Sequence, residues 1–113
     1  MNPADRRRLA HVLDAIDRIE RYTTRGRGSL DDDMAGDAVL RCLTIVGEAL
    51  GALSPSAYHR LPSLPQHLPK GQRNVLVHEY WRIDPDIVWS TIERDLPPLR
   101  AEIDALLAGD DKL

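Results

Sequence analysis

At 113 residues, with 42% hydrophobic and 29% charged side chains, the chain has globular rather than disordered composition, and its length predicts one domain over residues 1–113. A lone cysteine, Cys42, excludes an internal disulfide framework and a Cys-based zinc finger. No stretch approaches the roughly 18 uninterrupted apolar residues of a membrane span, and the charged N-terminus lacks the apolar core of a secretory signal, so a soluble cytoplasmic protein with no membrane association is expected. The net charge of −3 is unevenly spread. Residues 58–82 carry four cations (Arg60, Lys70, Arg73 and Arg82) against Glu79, a balance of +3 beside −6 elsewhere, and hold His59, His67 and His78. A phosphate-bearing partner would be sought there, although a solvated loop accounts for the same charges.

Helical periodicity runs through the chain, with no alternation suited to strands and no phenylalanine. Leu9, Val12, Leu13, Ile16 and Ile19 form the apolar stripe of a first helix. The run Arg25-Gly26-Arg27-Gly28-Ser29 ends it, and Asp31, Asp32 and Asp33 supply N-cap and dipole chemistry for a second. Val39, Cys42, Leu43, Val46, Leu50 and Leu53 make that second stripe, which stops at Ser54-Pro55. Residues 55–69, with four prolines, read as a loop holding at most a short turn. A shorter third helix is expected from Pro69 or Lys70 through Trp81. Asp84-Pro85 opens a fourth, with Val88, Ile92, Leu96, Leu99, Ile103 and Leu106 on one face and a bend or break at Pro97-Pro98. The expected fold is all-α: a small antiparallel bundle of four main helices.

Few residues offer chemistry. Paired catalytic carboxylates, glycine-rich phosphate loops and His-Glu-x-x-His zinc spacing are absent. Asp31, Asp32 and Asp33 read as a cap cluster rather than metal ligands, His11 as a surface residue, and Cys42, on an apolar stripe, as a buried inert thiol. His59 and His67 have no nameable co-ligands; Arg60 and His67 straddle Pro62 and Pro65 and cannot share a regular helix. What remains is QRNVLVHEYW, residues 72–81. On a helix, Asn74 and His78 lie one turn apart, and Arg73 and Tyr80 two turns apart along a neighbouring stripe. Imidazole, amide, guanidinium and phenol around one edge suit a phosphodiester. A histidine near neutral pKa moves a proton at a ribose 2′-hydroxyl or a leaving oxygen, an arginine fork holds the phosphate as charge grows, and neither needs a metal or cofactor. A charged helix face with a hydrogen-bonded histidine is the plain alternative.

Arg-Asn-x-x-x-His-x-Tyr resembles the signature of the HEPN superfamily, in particular the HepT-like ribonuclease toxins of HepT–MntA toxin–antitoxin pairs. The segments LDAIDRIERYT, DAVLRCLTIVGEAL, LSP and IDPDIVWSTIERDLPPLRAEIDALL resemble the same family in the same order, so the likeness spans residues 12–107. It implies a HEPN-like helical homodimer whose motif helices line one cleft. It further implies that Arg73 and His78 are the catalytic pair of a metal-independent ribonuclease, that Asn74 supports them, and that Tyr80 is the tyrosine to which an MNT-type nucleotidyltransferase antitoxin attaches AMP. Just before the motif the chain departs from its relatives: Gln66 stands where they carry tryptophan, Pro69 for an aliphatic residue and Gln72 for methionine, which removes apolar anchors ahead of the third helix.

The leading expectation is therefore a toxin-type endoribonuclease of a type VII-like pair, cleaving RNA (tRNA among the candidates) by 2′-hydroxyl attack that leaves a cyclic phosphate. The alternative is a non-catalytic helical module that docks and regulates a nucleotidyltransferase, with the Arg73 to Tyr80 edge as its docking face. A plain helical oligomerisation protein is a third reading, in which Tyr80 is never modified.

Overall fold

The structure is a computed structural model that describes residues 1–69, 73 and 84–111. Every regular element among them is helical. Helix α1 spans Pro3–Tyr22, a 3-10 turn covers Gly26–Asp31, α2 spans Asp33–Gly51, and α3 is a single turn, Pro55–Tyr58. Helix α4, Pro85–Ser90, passes through a widened π turn, Thr91–Asp95, into α5, Leu96–Asp111. Of the third helix expected from Pro69 or Lys70 through Trp81, only Pro69 and Arg73 are among the described residues, and neither is helical, so the backbone at Arg73 departs from that expectation. The rest lies outside the described residues.

The helix starts follow from local chemistry. Asn2 caps α1 by accepting from the Asp5 amide at 2.7 Å, Asp32 caps α2 by accepting from the Ala35 amide at 3.0 Å, and Asp84 caps α4 by accepting from the Asp86 amide at 2.9 Å. Each satisfies a donor that the helix itself leaves unpaired, and proline follows the cap at Pro3, Pro55 and Pro85, where no amide is required. Asp32 is thus engaged as the cap that the acidic run was expected to supply. Past the end of α1 the chain turns at Gly26, whose φ of 74° lies in the left-handed region that a Cβ disfavours.

The stripes read from sequence become the core. Leu9, Val12, Ile16 and Ile19 of α1 are buried with Val39, Cys42, Leu43, Val46 and Leu50 of α2, and Val88, Leu96, Leu99, Ile103 and Leu106 close over them. Only Leu13 and Ile92 of the predicted sets are merely half-buried. The Asp5 carboxylate at the start of α1 meets Ser54 just past the end of α2, so the two helices run antiparallel. Arg100 of α5 pairs with Asp17 and with Glu20 of α1, the latter at 2.6 Å, and Arg27 pairs with Asp86 at the start of α4.

The irregularity expected at Pro97-Pro98 sits just ahead of the prolines. The Leu96 amide reaches back to the Thr91 carbonyl, five residues earlier, and so opens the turn. Two prolines in succession cannot bond the carbonyls four residues before them and press on those carbonyls. Widening the preceding turn gives the rings room while the helix continues. Residues 55–69 were expected as a loop with a short turn, and α3 is that turn. The loop nevertheless enters the core, through Ala57, Tyr58, Leu61 and Leu64, all buried.

Candidate active site

The site is built from the proline-rich loop upward. Ser54 caps α3 by accepting from the Ala57 amide at 3.3 Å, and the turn carries Tyr58 inward until its side chain is fully buried. The Tyr58 hydroxyl donates to the Pro65 carbonyl at 2.9 Å, as a buried phenol needs a partner. Burial pushes its pKa up, with Arg73 opposing that shift.

Gln66 closes the loop on itself. Its side-chain Nε2 donates to the carbonyls of Tyr58 at 3.2 Å, Leu61 at 2.8 Å and Leu64 at 3.3 Å. With the amide nitrogen so committed, Oε1 is the acceptor for His59 Nδ1 at 2.6 Å, which assigns the proton to Nδ1 of that ring. The loop is pinned to α5 as well: the amide and hydroxyl of Ser63 donate to Glu102 Oε1 at 3.1 and 2.9 Å. Where the sequence lacks an apolar anchor, a polar one stands in its place.

Arg73 rests on this platform. Its guanidinium carbon lies 4.5 Å from the centroid of the Tyr58 ring, and its Nε donates to the Leu68 carbonyl at 3.5 Å, a long contact. The residue is only 7% exposed, yet Nη1 is buried with no hydrogen-bond partner among the described residues. Such an orphaned donor costs about 1–3 kcal/mol, more when charged, unless an acceptor arrives. A guanidinium held by its face, with one terminal nitrogen uncommitted, is equipped to take an anionic oxygen.

Of the predicted site residues only Arg73 is described; Asn74, His78 and Tyr80 lie outside the described residues. His11, His59 and His67 are exposed, and Cys42 is a buried free thiol whose pKa burial pushes up. No group of three or more His, Cys, Asp or Glu side chains among the described residues is placed to hold a metal ion, and no described helix is long and apolar enough to cross a membrane. Sequence reading missed Tyr58. No spacing rule links it to Arg73, because the contact is made across an irregular loop; the available signal was the Ser54-Pro55 turn start with an aromatic at its end.

The family model described as "Ribonuclease HepT-like" matches residues 12–106. The chain is 32% identical to the "Probable ribonuclease HepT" of Thermococcus cleftensis over 87% of its own length and 91% of that protein. It is 30% identical to a "Putative RNase" of Caldanaerobacter subterraneus over 88% of this chain and 90% of the other. It is also 29% identical to a "Gamma-glutamylcyclotransferase and putative RNase" of Methanocaldococcus jannaschii over 92% of its length, and there it spans about half (48%) of the longer protein. No solved structure matches. With a ribonuclease family model covering most of the chain and a relative matched along nearly its whole length, the chain belongs to the HepT-like ribonuclease family.

Proposed function

We propose that this chain is a metal-independent endoribonuclease of the toxin type, cutting RNA with Arg73 and His78 and silenced when a nucleotidyltransferase antitoxin transfers AMP to Tyr80. The observation that carries this reading is Arg73: a buried guanidinium, stacked on an aromatic face, whose Nη1 has no acceptor among the described residues. Family membership supplies the context, since Arg73 opens the Arg-Asn-x-x-x-His-x-Tyr run of a HepT-like ribonuclease.

In this mechanism Arg73 binds a non-bridging phosphate oxygen and offsets the charge that grows on it as the phosphorus becomes five-coordinate. Neutral His78 takes the proton of the ribose 2′-hydroxyl, the 2′-oxygen bonds to phosphorus, and the bond to the 5′-oxygen breaks. The leaving 5′-oxygen takes a proton from water, protonated His78 gives its proton back to solvent, and a 2′,3′-cyclic phosphate remains. Asn74 hydrogen-bonds His78 or the substrate. In a homodimer, two copies of the cationic segment strengthen the field on the RNA backbone. Transfer of AMP to the Tyr80 phenol places a fresh phosphate near Arg73, where it occupies the anion site and blocks RNA.

The deciding experiment is incubation of total RNA and tRNA, in EDTA, with protein purified without its partner, beside His78→Ala. Cleavage that survives the chelator and disappears in the variant is expected. Absence of cleavage by unmodified, folded protein overturns the reading in favour of a non-catalytic module that docks a nucleotidyltransferase.

A further inference from the structure

Tyr58 is held at both ends. Its hydroxyl donates to the Pro65 carbonyl at 2.9 Å and its own carbonyl accepts from Gln66 at 3.2 Å, so both ends of the residue are tied to the loop while full burial restrains the plane of the ring. The face thus fixed lies 4.5 Å from the Arg73 guanidinium carbon. The only other polar contact to Arg73 among the described residues is the long Nε bond to the Leu68 carbonyl. No carboxylate among them pairs with it, although ion pairs are present elsewhere, between Arg100 and Glu20 and between Arg8 and Asp5. A carboxylate would compete with phosphate for the guanidinium, whereas a ring face attracts the cation and leaves its in-plane donors free.

We propose that Tyr58 is the positioning residue for Arg73: its ring face holds the guanidinium and leaves the in-plane donors, the buried Nη1 among them, uncommitted for a phosphate oxygen of RNA once the substrate opens the way to them. This rests on the ribonuclease reading above. Tyr58 does not touch the substrate and acts through Arg73.

The test uses the absence of phenylalanine from the chain. In Tyr58→Phe, biosynthetic incorporation of fluorinated phenylalanines labels position 58 alone. Adding one, two and three fluorines drains the negative face of the ring with little change in size, so a ring that only fills space is indifferent to the series. The readouts are kcat for RNA cleavage and the affinity for a 2′-O-methyl RNA, which binds but cannot be cut. Relative to unfluorinated Tyr58→Phe, both are expected to fall stepwise, reaching about tenfold at three fluorines, in line with a partly desolvated cation–π contact. In the Arg73→Ala background the affinity series is expected to be flat. A flat series in the Arg73 protein, or an equal fall in both backgrounds, overturns the proposal while leaving the ribonuclease reading intact. Wild-type protein that cuts no RNA, with 2′-O-methyl RNA binding still sensitive to fluorine, overturns the ribonuclease reading and retains the Tyr58–Arg73 assignment. Wild-type protein that neither cuts nor binds RNA overturns both.

Discussion

The Asp5 carboxylate accepts two hydrogen bonds from Ser54, Oδ1 from its amide at 2.9 Å and Oδ2 from its hydroxyl at 2.5 Å, and so ties the first turn of α1 to the cap of α3. Asn2 Nδ2 adds a third bond at 2.9 Å and Arg8 lies 3.8 Å away, so the buried carboxylate is well satisfied. Because the same Ser54 hydroxyl caps the turn that carries Tyr58, Asp5 sets the entry of the loop on which Arg73 rests.

Replacing Asp5 by alanine strands the amide and hydroxyl of Ser54 and is expected to cost about 2–3 kcal/mol, read by urea unfolding at neutral pH. Burial alone would raise the Asp5 pKa, but the Ser54 hydroxyl and amide, with Arg8 and Asn2, outweigh it and hold the carboxyl below its ordinary value. A group with a lowered folded pKa contributes stability that is complete above the unfolded value and disappears as pH falls through the folded one. Wild-type stability should therefore decline as the medium is acidified through and below the usual aspartate range, and the decline should be shallower in Asp5→Ala. Parallel acid profiles would remove Asp5 from the explanation.

Gln66 supports the loop from the opposite end through a neutral amide nitrogen directed at three carbonyl oxygens. Gln66→Leu loses those donors and should cost about 1–3 kcal/mol. Gln66→Glu, close in size, presents a carboxylate to the same carbonyls and should be worse at neutral pH. Its charged form is disfavoured in the folded state, so its pKa there rises, and the extra penalty lifts as pH falls from that raised value toward the ordinary glutamate range and is gone below it. Thermal melting of both variants across pH checks this; equal destabilisation at all pH values would deny the amide its role.

How much of this was legible in the sequence depends on whether a contact is local. Caps, stripes and the α4 start depend on residues within a turn or two, and Asp32, Asp84 and the Leu9 to Ile19 and Val39 to Leu53 sets occupy the places that their spacing implies. Asp5–Ser54 and Tyr58–Arg73 were not legible, because each joins segments whose approach is set by the path of an irregular loop rather than by a repeat. Gln66 is the instructive case. Its departure from the relatives' tryptophan was visible, and so was the loss of an apolar anchor. That an amide can hold the same loop by converging on carbonyls depends on where those carbonyls point, which periodicity does not encode. Within the motif, Arg73 could be singled out as a candidate by residue type, and its contact with Tyr58 could not.

Arg73 and lysine carry the same charge but not the same fork. An ammonium on a flexible stem presents neither the planar face that stacks on Tyr58 nor a fixed second donor. Arg73→Lys is expected to retain much of the RNA affinity while lowering kcat about 100-fold, comparable to removing one transition-state hydrogen-bond donor. Arg73→Ala should in addition weaken binding across sequences and reduce the slope of log affinity against log salt by about 1, as for one lost phosphate contact. Steady-state cleavage and salt titrations with the uncleavable RNA separate the two effects. An unaltered kcat in Arg73→Lys would mean that Arg73 contributes charge and no geometry.

Tyr80 and Arg73 stand seven positions apart in one motif, and the proposed silencing depends on their being near each other. AMP on the Tyr80 phenol carries a negative phosphodiester, and a guanidinium with an uncommitted donor is its natural counterpart. If the proposed silencing holds, co-expression with a nucleotidyltransferase of the antitoxin type should yield protein heavier by one adenylyl group, and Tyr80→Phe should remain at the unmodified mass and keep cutting RNA. Arg73→Ala supplies the stricter control, since loss of the guanidinium should leave modification itself in place while removing the partner that holds the AMP over the site. Intact mass spectrometry of the three proteins reads the modification, and RNA cleavage by the modified and unmodified Arg73 protein reads the silencing. Adenylylation that persists in Tyr80→Phe would place the modification on another residue and detach it from the anion site at Arg73.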